Sequence, residues 1–397
     1  MITELEFKSL SSQGYNRIPL MAEAFADLET PLSLYLKLAH SRDGGTADPH
    51  AALPPEGAQA ALGRPSGAFS FLLESVVGGE RFGRYSFIGL PAHTLIRVSG
   101  FGAATVTEVV RDGAVVETAR GNPLDFIAAY QKRFKVALRP GLPRFCGGLA
   151  GYFGYDTVRH IEKKLEQTCP PDTLGCPDIL LLQCEELAVI DNLSGKLYLI
   201  VYADPARPEA YANAKKRLRE LREQLQYSVS APVVKATQSY PAERDFAKAD
   251  YIAAVERAKE LIAGGDFMQV QVGQRIKKRY TESPLSLYRA LRSLNPSPYM
   301  YYYHFGDFHV VGASPEILVR QEMVQLSEEE SSAAGPPQGA KAPPGGSEPH
   351  AMGERGGIGH AAGRAQDVSV PPGDGAVHAV ADARTAQKIT IRPLAGT

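Results

Sequence analysis

Apolar and polar residues alternate with a period of two in several short stretches of the chain, a pattern typical of half-buried antiparallel strands. Such strands are predicted at residues 69–75, 94–98, 105–110 and 114–118, and a hairpin is predicted at residues 179–202. The Asp112-Gly113 pair favours a two-residue turn between the third and fourth of these strands. The N-terminal half is therefore expected to be rich in antiparallel sheet.

A period of 3.6 residues predicts helices between and after these strands. Helices are predicted at residues 123–134, 208–225, 251–262 and 284–294. Asn122 and Ser283 precede two of them, and both residue types commonly accept a hydrogen bond from the first helical turn. Residues 15–40 are expected to be helical in part, with interruptions at Pro19 and Pro31.

A further hairpin is predicted at residues 295–316, where aromatic and β-branched residues lie on both sides of a central Gly-Asp pair. A hairpin this apolar must join a larger sheet, because it would not be stable alone in water. Most of its side chains fit a buried core. Pro298, Tyr299 and Met300 also form a rigid corner that could face a flat aromatic ligand.

Residues 145–156 place four glycines among aromatic residues, a composition shared with phosphate-binding loops. However, no Lys-Ser or Lys-Thr pair follows these glycines, and the GxGxxG spacing is absent. Close packing of the backbone between sheet layers is the preferred interpretation.

Residues 268–273 alternate Met and Val with Gln269, Gln271 and Gly273, which predicts a strand with one apolar face and one amide-bearing face. The two amides fit a solvated surface. They equally fit the lining of a polar cavity that holds a hydroxylated, anionic substrate.

The bulk composition excludes several classes of protein. The 397 residues carry a formal net charge of −1, and no basic stripe indicates nucleic-acid binding. No apolar run approaches the ~20 residues of a membrane-spanning helix, and the N-terminus lacks a signal-peptide pattern. The four cysteines match no zinc-binding spacing, which fits free thiols in a reducing cytoplasm.

Three stretches are expected to lack regular structure. Residues 41–66 are rich in Gly, Ala and Pro and predict a loop, and residues 227–245 predict an interdomain linker. Residues 323–387 contain very few large apolar residues, so disorder is expected because burial cannot offset the entropy of ordering. A strand pattern returns at residues 388–397.

Five blocks of sequence, taken together, resemble the large subunit of anthranilate synthase, in the family of chorismate-utilising enzymes. The blocks are Leu72-Leu-Glu-Ser75, the glycines and aromatic residues of 147–156, Gly265-Asp-Phe-Met-Gln-Val270, residues 295–316 and Arg392-Pro-Leu-Ala-Gly-Thr397. The resemblance covers most of residues 1–322 and the last ten residues.

The resemblance implies an α+β protein with the two-domain fold of chorismate-utilising enzymes, in which helices flank antiparallel sheets. It implies an N-terminal regulatory domain at residues 1–235 and the start of a chorismate-binding domain at residues 245–322. Residues 323–387 would be a disordered insertion, and residues 388–397 would return as a strand of the chorismate-binding domain. The second domain is expected to be incomplete.

The same resemblance implies a cytoplasmic lyase that converts chorismate and ammonia to anthranilate and pyruvate. This reaction is the first step of tryptophan biosynthesis and is expected to be inhibited by tryptophan. The implied cofactor is Mg²⁺. The implied partner is a glutamine amidotransferase subunit, which supplies the ammonia.

Two positions distinguish the branches of this family on chemical grounds. Isochorismate-type relatives place a lysine where this chain has Gln269, and an amide is not a useful base for activating water. Aminodeoxychorismate synthases carry a nucleophilic lysine where this chain has Ala395, and a methyl group cannot attack the ring. Both positions favour anthranilate synthase, with nitrogen arriving as free ammonia.

The resemblance also implies binding residues. The residues expected to bind tryptophan are Ser75, Pro298, Tyr299 and Met300, with Pro19 as a further candidate. The residues expected to bind chorismate are Gly396 and Thr397, and Gln269 is a candidate for lining the cavity. Tyr299 and Met300 are expected to pack on the indole ring, while Ser75 holds the amino-acid end.

The family's catalytic and metal-binding residues are expected to lie beyond the Ala-Gly-Thr motif that ends at Thr397. This chain is therefore expected to be incomplete and inactive alone. Two other interpretations stay open. One is a non-catalytic module that binds tryptophan or an amidotransferase, and the other is a relative of aminodeoxychorismate or isochorismate synthase, which Gln269 and Ala395 disfavour.

Overall fold

A computed structural model of the protein describes residues 1–40, 67–76, 83–166, 168–169, 171–230, 240–317 and 319, and the backbone of residues 387–391. The helices are α1 (Glu4–Ser12), α2 (Pro31–Tyr35), α3 (Pro123–Gln131), α4 (Ala210–Gln224), α5 (Lys248–Ala263) and α6 (Pro284–Leu294). A π-helical turn, Leu36–His40, follows α2, and 3₁₀ turns occupy Gly102–Ala104, Tyr155–His160 and Lys163–Leu165. The strands are β1 (Ile18–Phe25), β2 (Ser70–Glu74), β3 (Tyr85–Gly89), β4 (Thr94–Ser99), β5 (Val106–Arg111), β6 (Ala114–Arg120), β7 (Gly148–Phe153), β8 (Ile179–Cys184), β9 (Glu186–Asp191), β10 (Lys196–Ala203), β11 (Ala242–Arg244), β12 (Ile276–Lys278), β13 (Tyr299–His304), β14 (His309–Ser314) and β15 (Gln387–Ile391).

The predicted α+β class is confirmed, because helices accompany sheets whose strands all pair antiparallel. The large sheet has the strand order β1-β10-β9-β3-β2-β13-β14-β15, and the small sheet has the order β6-β5-β4-β8-β7. Two short strands, β11 and β12, pair only with each other. Strands β2 and β13 are antiparallel neighbours in the large sheet, so the end of β2 lies beside the start of β13.

The hairpin predicted after residue 295 is confirmed at β13 and β14. The two strands pair from Tyr299 opposite Ser314 to His304 opposite His309. Gly306 occupies the turn with a φ of 89°, which a glycine adopts without strain. The predicted last strand is also confirmed, since the backbone of Gln387–Ile391 pairs with β14.

The predicted meander of the N-terminal half is confirmed as β4, β5 and β6. Asp112 and Gly113 connect β5 to β6 with φ values of 49° and 86°, the left-handed conformations that a type I′ turn requires. The helix predicted after Asn122 is confirmed but ends at Gln131. Its cap is present, because the backbone N–H of Leu124 donates to Asn122 Oδ1 at 3.0 Å.

The core is divided between one face of the large sheet and the space between the two sheets. Helix α4 covers the outer face with a buried stripe of Ala214, Leu218 and Leu221, as its sequence period predicts. Residues of the small sheet such as Leu182 share a second cluster with Val310 of the large sheet. None of the described helices is both long and apolar enough to cross a membrane.

The prediction that residues 15–40 are helical in part is confirmed by α2 and the π-helical turn, whereas Ile18–Phe25 form strand β1. Pro19 lies in β1, and the missing N–H is tolerated because β1 is an edge strand of its sheet. Pro31 begins a helix instead of interrupting one. It is the first residue of α2, behind a capping box formed by Thr30 and Ser33.

The hairpin predicted at residues 179–202 is confirmed for β9 and β10, but the prediction is wrong for the first strand of this range, β8. Strand β8 pairs with β4 and β7 in the small sheet, whereas the hairpin of β9 and β10 belongs to the large sheet. The chain changes sheets at Glu185, between the last residue of β8 and the first of β9. Each strand contains an apolar run of four residues, 179–182 and 187–190, and such a run does not indicate which sheet it joins.

The helix predicted at residues 251–262 is confirmed as α5, and it ends before Gly265. None of its residues is buried, and Ile252 is 49% exposed. Ser283 lies at the N-cap position of α6, but its side chain makes no capping hydrogen bond, contrary to the prediction. Pro284 therefore sets the start of α6 through its fixed φ.

The described residues up to Val319 and the backbone of Gln387–Ile391 belong to one compact unit. Within it, β13 follows the predicted linker in sequence and still pairs with β2, which precedes that linker. The division into domains at 1–235 and 245–322 stays a prediction. The loop predicted at residues 41–66 and nearly all of the insertion predicted at residues 323–387 lie outside the described residues.

Candidate functional site

The end of β2 lies directly beside the start of β13. Met300 pairs with Glu74, and one step further the backbone N–H of Val76 donates to the carbonyl of Ser297 at 3.1 Å. Ser75 therefore lies opposite Tyr299. The structure thus brings together Ser75 and the Pro298–Met300 corner, which are far apart in sequence.

The corner before β13 is held by a buried serine. The Ser297 hydroxyl donates to the carbonyl of Ser314 and accepts from the backbone N–H of Tyr299 at 3.3 Å. Ser297 is 4% exposed, and Pro298 next to it fixes its own φ. This part of the chain is accordingly rigid before any ligand arrives.

Ser75 has a buried hydroxyl oxygen that forms no hydrogen bond to any described residue. Such a group costs about 1–3 kcal/mol when it is left unpaired. A polar ligand group placed here would recover that cost. The hydroxyl is therefore available to a polar ligand group, and the predicted role of Ser75 in binding tryptophan stays a prediction.

The two faces of the sheet divide the predicted tryptophan-binding residues. Successive side chains of a strand point to opposite faces, and directly paired residues of antiparallel strands share a face. Ser75 and Tyr299 thus share one face, where Tyr299 is partly exposed and burial raises the pKa of its phenol. Met300 is 1% exposed and packs in the core on the other face with Leu72.

An ion pair with a buried carboxylate, that of Glu74, lies on the Met300 face. Glu74 accepts hydrogen bonds from the Tyr288 hydroxyl at 2.8 Å and from Arg292 Nε and Nη2 at 2.8 and 2.7 Å. The bond to Glu74 raises the pKa of Arg292, and burial beside Glu74 raises the pKa of Tyr288, so both remain donors near neutral pH. This network ties helix α6 to the end of β2.

This network is absent from the sequence predictions. Glu74 alternates with Ser70 and Leu72 in β2, whereas Phe71 and Leu73 form the more apolar set, so the period-two pattern does not mark Glu74 as buried. Tyr288 and Arg292 are four residues apart on α6 and project from the same face of that helix, which is the one local signal for the network.

Pro19 is not brought to this corner by strand pairing. It lies in β1, opposite Tyr202, and three strands separate β1 from β2 in the large sheet.

The strand predicted at residues 268–273 is not formed. Residues 266–275 are irregular, and the neighbouring β12 at Ile276–Lys278 pairs with β11 instead. Gln269 and Met268 are both exposed, the latter to 81%. An alternating pattern makes a strand only where a partner strand accepts its hydrogen bonds, and no described strand lies in register with these residues.

The glycines of residues 147–154 serve close packing, as their sequence context favours. A Cβ atom on Gly147 would lie 2.5 Å from the Tyr202 ring of the large sheet. A Cβ atom on Gly151 would lie 1.9 Å from the carbonyl oxygen of Leu180 in the neighbouring strand β8. These contacts explain the two glycines without a bound phosphate.

The described residues do not offer a metal site, since no cluster of three or more His, Cys, Asp or Glu side chains among them could hold an ion. They therefore do not fit the Mg²⁺ implied by the resemblance. Ala395, Gly396 and Thr397 lie outside the described residues, so their predicted roles have no structural counterpart here.

Comparison with known proteins identifies a family that the chain matches. The sequence pattern of the chorismate binding enzymes matches residues 94–328. The chain is 50% identical over 325 residues to anthranilate synthase component 1 of Neisseria meningitidis serogroup B, covering 81% of this chain and 60% of that protein. It is 46% identical over 324 residues to anthranilate synthase component 1 of Pseudomonas putida, covering 80% and 59%.

Among solved structures, anthranilate synthase component I from Streptococcus pneumoniae TIGR4 is similar with a TM-score of 0.49 and 26% identity. That similarity covers 75% of this chain and 58% of the solved one. The chain spans about 60% of the length of the curated relatives it matches.

Proposed function

Because the chain belongs to the chorismate binding enzyme family, we propose that it is the large subunit of an anthranilate synthase. The proposed reaction converts chorismate and ammonia to anthranilate and pyruvate, the first step of tryptophan biosynthesis. The observation that carries the proposal is the 50% identity over 325 residues to a protein named anthranilate synthase component 1. We propose the corner formed by Ser75 and residues 298–300 as the chain's regulatory site for tryptophan.

Two side chains support ammonia as the nitrogen donor. Gln269 carries an amide, which cannot act as a general base toward water at neutral pH. Ala395 carries a methyl group, which cannot form a covalent bond to the ring. Neither an activated water nor an enzyme amine is then available at these positions, and the nitrogen must diffuse in.

We place tryptophan on the face of the sheet that Ser75 and Tyr299 share. The buried Ser75 hydroxyl pairs with a polar group of the amino-acid end, while the Tyr299 ring packs on the indole. Pro298 keeps the corner rigid. Met300 supports the site from the core side of the strand, where it is buried.

The remaining elements of the proposal follow the family. A glutamine amidotransferase subunit supplies ammonia, the enzyme acts in the cytoplasm, and Gly396 and Thr397 contact chorismate through a backbone N–H and a hydroxyl. Mg²⁺ belongs to the proposed reaction as its cofactor. No chemical step is assigned to it, because the described residues do not supply its ligands.

Replacing Ser75 with leucine is expected to weaken tryptophan binding at least tenfold. The substitution removes the unpaired hydroxyl and fills its space, and a hydrogen bond to a charged ligand group corresponds to about tenfold or more in affinity. The chain contains no tryptophan, so the indole fluorescence of added L-tryptophan reports binding without background. Fluorescence anisotropy of the ligand, titrated with protein, measures the affinity.

Ser99→Leu is the matched control, since Ser99 is an exposed serine at the end of β4 in the other sheet. It should bind tryptophan as the unmodified chain does. Equal affinity in the Ser75→Leu and Ser99→Leu proteins would remove Ser75 from the site.

Anthranilate formation is tested in a chimera. Residues 1–322 of this chain are joined to the region of the Neisseria meningitidis relative that follows its matched residues. With chorismate, Mg²⁺ and ammonium the chimera should produce anthranilate, detected by its fluorescence and by chromatography. Gln269→Lys in the chimera should lower that yield, because a lysine at this position can activate water instead.

The relative's C-terminal region alone is the blank for this assay. Tryptophan binding by the chimera establishes that its N-terminal part is folded. A folded chimera that yields isochorismate or aminodeoxychorismate in place of anthranilate would contradict the proposed reaction.

A further inference from the structure

Two adjoining cavities lie at the open edge between β1 and the small sheet, and they share no residue with the Ser75 corner. Their volumes are about 360 and 240 Å³. Arg17 and Arg111 line both, and the two adjoining spaces are together called the groove. The larger one falls within the roughly 300–1,000 Å³ typical of small-molecule sites.

The larger cavity carries an excess of positive charge. Three guanidinium groups line it, against the single carboxylate of Glu117. Arg133 neutralises that carboxylate through two parallel hydrogen bonds of 2.7 and 2.8 Å. Arg111 has no carboxylate partner within the part of the chain that the structure describes, so its charge is available to a ligand.

Arg17 forms a preorganised wall between the two cavities. Its side chain is 16% exposed and is bound by Glu185 and Asp204, each at 3.1 Å. Its guanidinium also lies 4.9 Å from the centre of the Phe134 ring. Arg17 is therefore fixed and already paired, which leaves Arg111 as the group that selects an anion.

A chain of side-chain hydrogen bonds connects Tyr130 to Arg17 across the groove. The Tyr130 hydroxyl donates to Gln183 Oε1 at 2.6 Å, and Gln183 Nε2 donates to Glu185 Oε1 at 2.8 Å. Arg17 completes this chain by donating to the same carboxylate oxygen at 3.1 Å. A network connected in this way holds the groove open without a ligand.

The opposite wall of the larger cavity is apolar and contains a β-bulge. Val109 pairs with Glu117 and Val110 pairs with Val115, so Val116 is an extra residue in β6. Val116 lines the cavity together with Val109 and is 52% exposed. Bulges of this kind re-aim a side chain and are common beside functional sites.

We propose that this groove binds a small organic monocarboxylate with an aromatic or branched apolar body. The carboxylate pairs with the free guanidinium of Arg111, and the apolar body packs on Val116 and Phe134. The site is separate from the reaction and the tryptophan corner proposed above and does not depend on either.

The test uses 4-fluorobenzoate as the probe and follows its fluorine signal by ¹⁹F NMR during titration with the 397-residue chain. The unmodified protein should broaden the signal saturably. Arg111→Gln should weaken binding about tenfold, the effect of losing a charged hydrogen-bonding partner, and Arg111→Lys should recover part of it. Arg120→Gln, on the same strand as Val116 and lining neither cavity, should bind like the unmodified chain.

Competition distinguishes carboxylate recognition at Arg111 from simpler modes of binding. Inorganic phosphate, 4-fluorobenzyl alcohol and saturating tryptophan should each fail to displace the probe. Equal affinity in the Arg111→Gln protein overturns the proposal. Displacement by phosphate would show that the groove binds any small anion, and displacement by the alcohol would show that it binds the apolar ring alone. Displacement by tryptophan would show that the probe binds at the Ser75 corner. Each of these results also overturns the proposal.

Discussion

Replacing Gly151 with alanine is expected to lower the free energy of unfolding by about 3 kcal/mol, at the upper end of overpacking effects. The new methyl group would lie 1.9 Å from the carbonyl oxygen of Leu180, which is backbone and cannot rotate away. Strands β7 and β8 would have to separate, and Gly151 lies in the middle of their ladder, opposite Leu181. The loss would therefore include hydrogen bonds as well as packing.

Urea-induced unfolding, followed by circular dichroism and tyrosine fluorescence, measures this effect. Gly273→Ala is the matched control, because a Cβ atom there meets nothing within 4 Å and the residue is exposed. The control should be neutral or slightly stabilising, since alanine restricts the unfolded chain. A Gly151→Ala protein as stable as the Gly273→Ala protein would show that this glycine is not required for packing.

Replacing Arg292 with leucine is expected to lower the free energy of unfolding by about 2–3 kcal/mol. The change leaves Glu74, whose side chain is 3% exposed, with the Tyr288 hydroxyl as its remaining side-chain donor. Removing one partner of a fully buried pair typically costs ~3–5 kcal/mol, and the 41% exposure of Arg292 reduces that figure. Tryptophan affinity should fall too, because Glu74 fixes the end of β2 beside Ser75.

A triple variant distinguishes two causes of the stability loss in the Arg292→Leu protein, a buried unpaired charge and lost packing. Combining Glu74→Leu, Tyr288→Phe and Arg292→Leu removes every polar atom of the network, and replacing all partners together is often nearly neutral. This protein should be more stable than the Arg292→Leu single variant. A triple variant less stable than the single one would contradict the assignment.

Arg257→Leu serves as the control for the arginine substitution itself. Its ion pair with Glu260 lies on the exposed surface of α5, with both side chains about 65% exposed. Pairs of this kind contribute at most about 1 kcal/mol, and usually less, so the control should unfold close to the unmodified protein.

Local sequence determined the elements whose partners are adjacent in the chain. The β13–β14 hairpin follows from a Gly-Asp turn between two apolar runs, and the turn at Asp112-Gly113 set the register of the meander. The cap at Asn122 fixed where α3 begins. In each case, the interactions that decide the structure lie within a few residues.

The candidate site was reached from sequence only through resemblance to a family. The motifs identified Ser75 and the corner at residues 298–300 as neighbours, and the β2–β13 pairing brings them together. The register was required to place Met300 on the face of the sheet opposite Ser75 and Tyr299. Arg111 and the groove beside it were missed entirely, because the lining of the larger cavity alone comes from four separate parts of the chain.

Alone, the sequence determined which segments are strands or helices wherever turn residues, caps and period agreed, and it determined the family through its motifs. Tertiary structure alone decided the change of sheets at Glu185, the failure of residues 268–273 to form a strand and the pairing of Glu74 with Arg292. The physical reason is the same in all three. A strand's partner and a buried charge's counter-ion are supplied by distant residues, so only the folded arrangement fixes whether that hydrogen bond or ion pair exists.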